Sequence, residues 1–169
     1  RSQMLHIIDF SMVERVDYLF DGADEVDPQC RMIKGKSGAL VRERIVAHSS
    51  QKNVYMVVHD KLVDRLGAKS PLPIAVLAFG LSAVRSKLRS MGLNGVVRRT
   101  LDGQLFLTDN GALIVDVTLD EGTDVEELSM ELDGVAGVAD HGLFMSEADE
   151  VLVETPDGVT RMIPEQTKA

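Results

Sequence analysis

The sequence holds no tryptophan, two tyrosines and five phenylalanines in 169 residues, which leaves few flat side chains on which nucleic-acid bases could stack. Positive charge is also short: 18 Lys and Arg stand against 27 Asp and Glu, a formal charge of −9, and such a surface repels phosphate backbones. Nucleic acid is therefore excluded as a partner, and an anionic ligand has to be held by a local basic cluster. Long apolar runs are missing too. Val54 to Val58 is strand-length, well short of the roughly 20 residues a membrane span needs, so no membrane partner is expected. Cys30 is the one cysteine; it cannot form an internal disulfide, reads as an inert thiol and suits a reducing cytoplasmic setting. Arg1 and Ser2 open the sequence without an initiator methionine, a basic segment or an apolar segment, so no secretory signal is read.

What is present is alternation. Leu5 to Asp9, Tyr18 to Phe20 and Asn53 to His59 are short apolar runs of strand character, and Ala39 to Ser50 is helical. That order predicts βαβ units in a parallel sheet. Ser70-Pro71-Leu72-Pro73 reads as a link between two regions, because proline fixes φ and removes a donor. Beyond it the pattern changes. Ala83, Val84, Leu88 and Met91 recur at helical spacing ahead of Gly92, and Asn110-Gly111 sits between Leu105 to Thr108 and Leu113 to Val117 as a hairpin turn. A second helix starts from Thr123 or Asp124, runs through Val125, Leu128 and Leu132, and stops at Gly134 before a strand over Val138 to Phe144. A last hairpin, Val151 to Glu154 and Val159 to Ile163 around Pro156-Asp157-Gly158, returns to the first sheet. The expected fold is α/β: a Rossmann-like parallel-sheet domain formed by residues 1–73 and 146–169, with an inserted ferredoxin-like α+β subdomain over residues 74–145.

The densest polar run, Asp21-Gly22-Ala23-Asp24-Glu25, follows the strand Tyr18-Leu19-Phe20 directly. Ligands of open parallel sheets bind at the carboxyl ends of strands. There Asp21 and Asp24 can face one small ligand across the Gly22-Ala23 turn, accepting hydrogen bonds from hydroxyls or moving protons between oxygens; an acidic turn that satisfies its own amides is the alternative. Lys34-Gly35-Lys36-Ser37-Gly38 comes next, ahead of a helix. Its glycines let backbone approach a ligand, the helix amides favour an anion, and Lys34 adds a full charge. Glu43 falls in the first turns of that helix with small neighbours at Ala39 and Ala47, although a glutamate there also simply complements the helix dipole. Lys61 follows the strand Asn53 to His59 and is a third cation for an anion, or a solvated surface lysine. A P-loop is rejected because Cys30 stands where the motif needs glycine. An EF-hand is rejected because Asp21, Asp24 and Asp27 have the wrong spacing, which leaves a hard-cation site of these three acids as a lesser reading. His6, His48, His59 and His141 share no metal-like spacing and read as structural, and Met32, Met56 and Met130 as gap-fillers.

Taken together, Phe20-Asp21-Gly22-Ala23-Asp24-Glu25-Val26-Asp27-Pro28, Ile33-Lys34-Gly35, Gly38-Ala39-Leu40, Arg42-Glu43 and Ile45-Val46-Ala47 resemble the type A ribose-5-phosphate isomerases. The similarity continues through Lys61-Leu62-Val63, Leu66-Gly67, Pro71-Leu72-Pro73, Thr108-Asp109-Asn110-Gly111, Asp116-Val117 and His141-Gly142-Leu143-Phe144. The resemblance implies a cofactor-independent aldose–ketose isomerase that interconverts ribose 5-phosphate and ribulose 5-phosphate through an enediol(ate), a homodimeric or homotetrameric assembly, and no metal. It implies Glu43 as the base that moves a proton between C1 and C2. It also implies Asp21 and Asp24 as the acidic pair for sugar hydroxyls and O1–O2 proton exchange, Lys34 as the cation for the enediolate oxygen, and Lys61 as a phosphate contact. Gly22, Ala23, Gly35, Lys36 and Ser37 complete the expected substrate-binding set.

Three departures from the family pattern stand out. Lys36 and Ser37 interrupt its glycine run, and Val58 occupies a position where aspartate is common. The family's opening βα unit, with a Gly-Thr-Gly-Ser-Thr-like phosphate loop, has no counterpart in the sequence, so these residues alone are expected to bind pentose phosphates weakly and turn them over poorly. A non-catalytic sugar-phosphate-binding or sensor module on the same fold is the alternative these departures motivate.

Overall fold

The computed structural model describes residues 6–165. Three sheets organise them. The first is built on β1 (Val16–Asp21), followed by the short strands β2 (Glu25–Val26) and β3 (Met32–Ile33), the helix α1 (Leu40–Ser49) and the strand β4 (Ser50–Val58). β1 and β4 are parallel neighbours, and the register sets Asp21 beside Tyr55. This is the expected βαβ crossover. Parallel strands need a covered connection, which α1 supplies. The run Leu5 to Asp9 was expected as a further strand. Leu5 lies outside the described residues, and residues 6–9 form no strand, with Ile7 98% exposed. Among the described residues no strand pairs with them, and β1 is the edge of its sheet.

β5 (Leu72–Val76) overturns the expectation of a linker at Ser70 to Pro73. It is fully buried and central, hydrogen-bonded on both sides in a four-stranded antiparallel sheet. Pro73 is tolerated at this strand's start because its carbonyl, not an amide, is the group in use: it accepts from Gly142 N at 2.8 Å. After β5 come α2 (Leu81–Ser90), β6 (Gly95–Val97), β7 (Leu113–Val117), α3 (Val125–Asp133) and β8 (Val138–His141). The sheet order β6-β7-β5-β8 with this βαββαβ sequence is the ferredoxin-like arrangement. The strand β5 crosses the boundary drawn at residue 73. Asp124 caps α3 as its spacing predicts, accepting from Glu126 N and Glu127 N. Val84 and Leu88 of α2 and Leu128 and Leu132 of α3 are buried against the sheet, each such side chain stabilising the fold by about 1.5–3 kcal/mol. The hairpin at Asn110-Gly111 is half realised. Gly111 takes φ +73° and Thr108 N bonds Ala112 O, but Leu105 and Leu107 form only isolated bridges.

The strand expected over Val138 to Phe144 breaks at Gly142. β8 stays in the antiparallel sheet while β9 (Leu143–Phe144) leaves it to pair with β3, in a small sheet of order β2-β3-β9. Gly142 permits the switch: a Cβ there would stand 2.3 Å from Lys34 O. β10 (Glu150–Thr155) then pairs parallel to β4, and β11 (Gly158–Met162) pairs antiparallel to β10, so the last hairpin returns to the first sheet. One face of that sheet carries Tyr55, Val57, Val151 and Val153 into a core shared with Met32 and Phe144. Its other face exposes Tyr18, Phe20, Met56 and Val58. No described helix is long and apolar enough to cross a membrane.

Candidate active site

β1 ends at Asp21, and the chain turns immediately: Asp21 Oδ1 accepts from Gly22 N at 2.7 Å. The turn is closed by Asp24 N donating to Ile33 O at 2.8 Å, which brings the end of β3 alongside. Lys34, the next residue, is fixed through its backbone by Gly142 O at 2.9 Å, and its side chain runs inward until it is 3% exposed. A buried ammonium needs partners, or it loses its proton. Nζ donates to Asp21 Oδ2 at 2.8 Å and to Gly22 O, and it lies 3.4 Å from Glu43 Oε2, within ion-pair range but without hydrogen-bond alignment.

The loop after Lys34 is shaped by Gly35 and Gly38, at φ +102° and +87°. Gly38 also packs under the Phe106 ring, which would have to shift for a Cβ that came within 2.5 Å of it. Lys36 N donates to Asp24 Oδ2 at 2.9 Å, and Ser37 Oγ lies 3.5 Å from Glu43 Oε1 as a donor. The two residues that interrupt the glycine run thus touch an acid and the base of the expected site. Arg98 braces the same loop from the antiparallel sheet: Nη1 reaches the carbonyls of Gly35 and Lys36 at 3.1 and 2.9 Å, while Nε holds Asp116 at 2.8 Å.

Asp21, Gly22, Ala23, Asp24, Lys34, Gly35, Lys36, Ser37 and Glu43 line one cavity of about 200 Å³. The expected residue left outside that lining is Lys61. It occupies the short turn His59–Lys61 after β4, on the same carboxyl edge as Asp21 but beyond the register position Tyr55 that pairs with it. Glu43 projects from the first turn of α1. Burial pushes its carboxyl pKa up; the Lys34 charge opposes this, and the carboxylates of Asp21 and Asp24 add to it. Raising a carboxyl this way brings it toward the range in which a general base works best near neutral pH.

The remaining acids of the run have structural work. Glu25, fully buried, accepts from the amides of Gly67, Lys69 and Ser70. Asp27 accepts from Gln29 N and Arg31 N and pairs with the Arg31 side chain at 2.7 Å. Asp27 is thereby withdrawn from Asp21 and Asp24, and the described residues hold no group of three or more acid, His or Cys side chains placed for a metal. His141, buried, accepts from Leu143 N at Nδ1 and meets Asp133 at Nε2; burial and the nearby Arg44 lower its pKa, so it stays a neutral structural group.

Arg44 was invisible to sequence reasoning. One residue after Glu43, it ties α1 to the strand switch at Gly142, donating to Asp140 at 2.8 Å, to Glu147, and to the carbonyls of His141 and Leu143 at 2.7 and 2.8 Å. Its partners lie some hundred residues away, and only the Arg44–Ala47 side of the helix being inward could have hinted at it. Tyr55 and Phe144 were likewise read only as members of the strands over Asn53 to His59 and Val138 to Phe144.

The chain matches the family described as ribose 5-phosphate isomerase A (phosphoriboisomerase A) over residues 1–158. It is 42% identical over 160 residues to a ribose-5-phosphate isomerase A of Gluconobacter oxydans, covering 94% of this chain and 69% of that protein. It is 42% identical over 147 residues to one from Roseiflexus sp., covering 87% of this chain and 63% of that one. Among solved structures, a D-ribose-5-phosphate isomerase in complex with phospho-erythronic acid superposes with a TM-score of 0.87 at 32% identity, over 92% of this chain and 69% of that one. The ribose 5-phosphate isomerase A of Methanocaldococcus jannaschii gives 0.83 at 36%, over 88% and 66%. With roughly two thirds of each relative's length matched and the acidic turn, lysine and glutamate all meeting in one cavity, the chain belongs to the ribose 5-phosphate isomerase A family.

Proposed function

We propose that this protein interconverts ribose 5-phosphate and ribulose 5-phosphate by proton transfer between C2 and C1. The observation that carries the reading is the Lys34 ammonium, buried between Asp21 at 2.8 Å and Glu43 at 3.4 Å at the wall of a sugar-sized cavity. Removing a proton from the carbon beside a carbonyl puts negative charge on the carbonyl oxygen. A fixed cation in a water-poor site stabilises that charge at the moment it develops. Glu43, ionised and with one buried oxygen free of hydrogen bonds, takes the C2 proton of the aldose and returns it to C1. Lys34 faces the enediolate oxygen, and Asp21 and Asp24 bind the hydroxyls and pass the proton between O1 and O2. Each of these steps is proton transfer among oxygen and carbon, for which the side chains present are sufficient in kind.

Lys61 and Lys36 are the cations for the phosphate in this reading, Lys61 from the strand edge and Lys36 from the loop. For the division into a Rossmann-like unit of residues 1–73 and 146–169 and a small unit of residues 74–145, the sheet of β1, β4, β10 and β11 and the strands β6, β7 and β8 speak in favour, whereas β5 crosses the boundary at residue 73 and β9 pairs with β3 across it. A cytoplasmic homodimer or homotetramer is the form we infer from the family; light scattering of the purified protein tests the assembly. The activity is tested by following conversion of ribose 5-phosphate alongside calorimetric binding. Turnover supports the isomerase, and saturable binding without turnover would replace it with a sugar-phosphate sensor.

A further inference from the structure

Two buried aromatic rings underlie the site. Tyr55 sits beside Asp21 in the β1–β4 register, so its side chain leaves the sheet on the same face, and its ring centroid is 5.3 Å from Lys34 Nζ. Phe144 reaches the same ammonium from β9, at 5.6 Å, and is itself held by the Arg44 guanidinium at 4.1 Å from its centroid. Both rings have zero exposure. The Tyr55 hydroxyl is buried without a hydrogen-bond partner, and burial with the surrounding carboxylates keeps it protonated. The ring, rather than the hydroxyl, is therefore the part of Tyr55 that engages the site.

We propose that Tyr55 and Phe144 are positioning residues whose ring faces seat the Lys34 ammonium against Asp21 and Glu43. An ammonium at 3% exposure with hydrogen bonds to one carboxylate and one carbonyl has lost most of its hydration, and the negative faces of two rings replace part of it without adding a charge. A third carboxylate in that position would neutralise the cation before the enediolate forms. A ring attracts it without taking a donor, so the one N–H not given to Asp21 or Gly22 O stays free for the oxygen above. Aliphatic side chains of similar size would fill the space but let the lysine terminus settle elsewhere, and a displacement of an ångström is enough to weaken a preorganised contact.

This rests on the isomerase reading, so the test has one arm that needs turnover and one that does not. Kinetics are compared for the unmodified chain, Tyr55→Phe, Tyr55→Leu and Phe144→Leu, and in parallel the acetylation rate of Lys34 is read by mass spectrometry. Tyr55→Phe should stay within about twofold in both readouts. Tyr55→Leu should lower kcat about tenfold, equal to ~1.4 kcal/mol, with KM within about twofold, and should speed acetylation of Lys34; Phe144→Leu should do the same and decides if Tyr55→Leu fails to fold. Equal losses in Tyr55→Phe and Tyr55→Leu would assign the role to the hydroxyl and overturn the proposal, as would leucine variants with unchanged kcat and unchanged Lys34 labelling. Should the unmodified chain show no turnover, the isomerase reading fails by itself, and the labelling ratio alone decides whether the rings seat the lysine.

Discussion

Lys34 Nζ stands 3.4 Å from Glu43 Oε2, an ammonium on the loop after β3 and a carboxyl on α1 facing one cavity. The two should fail differently. Glu43→Gln removes the acceptor for the carbon-bound proton and should lower kcat by about 10² to 10⁴-fold with KM little changed. Lys34→Ala should lower kcat more than it raises KM, because the enediolate carries more charge than the ground-state carbonyl. Steady-state kinetics on both variants check this; a Lys34→Ala protein with altered KM alone would move the lysine from transition state to ground state.

The raised pKa of Glu43 fixes the sign of two pH effects. As a base it must be ionised, so kcat/KM, which reports the ligand-free protein, should fall as pH drops through a value above the ordinary 4.5. For stability the sign is the reverse: the folded state holds this proton more tightly than the unfolded chain does. The resulting contribution is full below 4.5 and is lost as pH rises through the raised value. Glu43→Gln escapes that loss, so its melting temperature relative to the unmodified chain should be higher at about pH 8 than at about pH 4. Parallel melting curves at the two pH values test it, and a difference that does not change with pH would mean the carboxyl is not desolvated.

Arg44→Ala should destabilise the fold by about 3 kcal/mol or more, since it leaves Asp140 and Glu147, 9% and 5% exposed, without their cation. Denaturant titration measures this. Its effect on the site should follow from α1 losing its anchor to the Gly142 switch, so residual kcat should drop as well.

Gly142→Ala places a methyl 2.3 Å from Lys34 O and 2.7 Å from a Pro73 ring carbon. Overpacking of this kind costs roughly 1–3 kcal/mol. Since the clash is with the backbone of Lys34 itself, kcat should fall in the same variant, whereas Gly111→Ala, which meets nothing within 4 Å, should affect stability only through its φ of +73°.

Lys61→Ala should raise KM with a smaller change in kcat, the signature of lost uniform binding. The opposite pattern would put Lys61 at the reacting carbons, which its place outside the cavity lining argues against.

Much of this was legible in the sequence because local chemistry decides it. Asp124 before an amphipathic run specifies α3, the helical spacing of Val84 and Leu88 specifies α2, and an acidic turn after Tyr18-Leu19-Phe20 marks a strand's carboxyl end. Pro71 and Pro73 misled, since a proline ordinarily breaks a strand; here the donor it lacks is not needed, and its carbonyl is what Gly142 binds. The single strand expected over Val138 to Phe144 has no local sign that Gly142 divides it between two sheets. That division depends on the close approach of Lys34, more than a hundred residues earlier. The same holds for the site. Asp21, Asp24, Lys34 and Glu43 could be picked by type and order, but Glu25 and Asp27 belong to the same acidic run and only tertiary partners separate them. Arg44, Tyr55 and Phe144 act through contacts between distant segments, which no periodicity encodes.

The most direct measurement of the central claim is proton exchange at the sugar. Ribose 5-phosphate is incubated in D₂O with the unmodified protein and with Glu43→Gln, and deuterium at C1 and C2 is followed by NMR. The account predicts enzyme-dependent incorporation at these two carbons in the unmodified protein, reduced by about 10²-fold or more in Glu43→Gln. Incorporation at equal rates in both, or neither exchange at these carbons nor conversion to ribulose 5-phosphate with the unmodified protein, would contradict it.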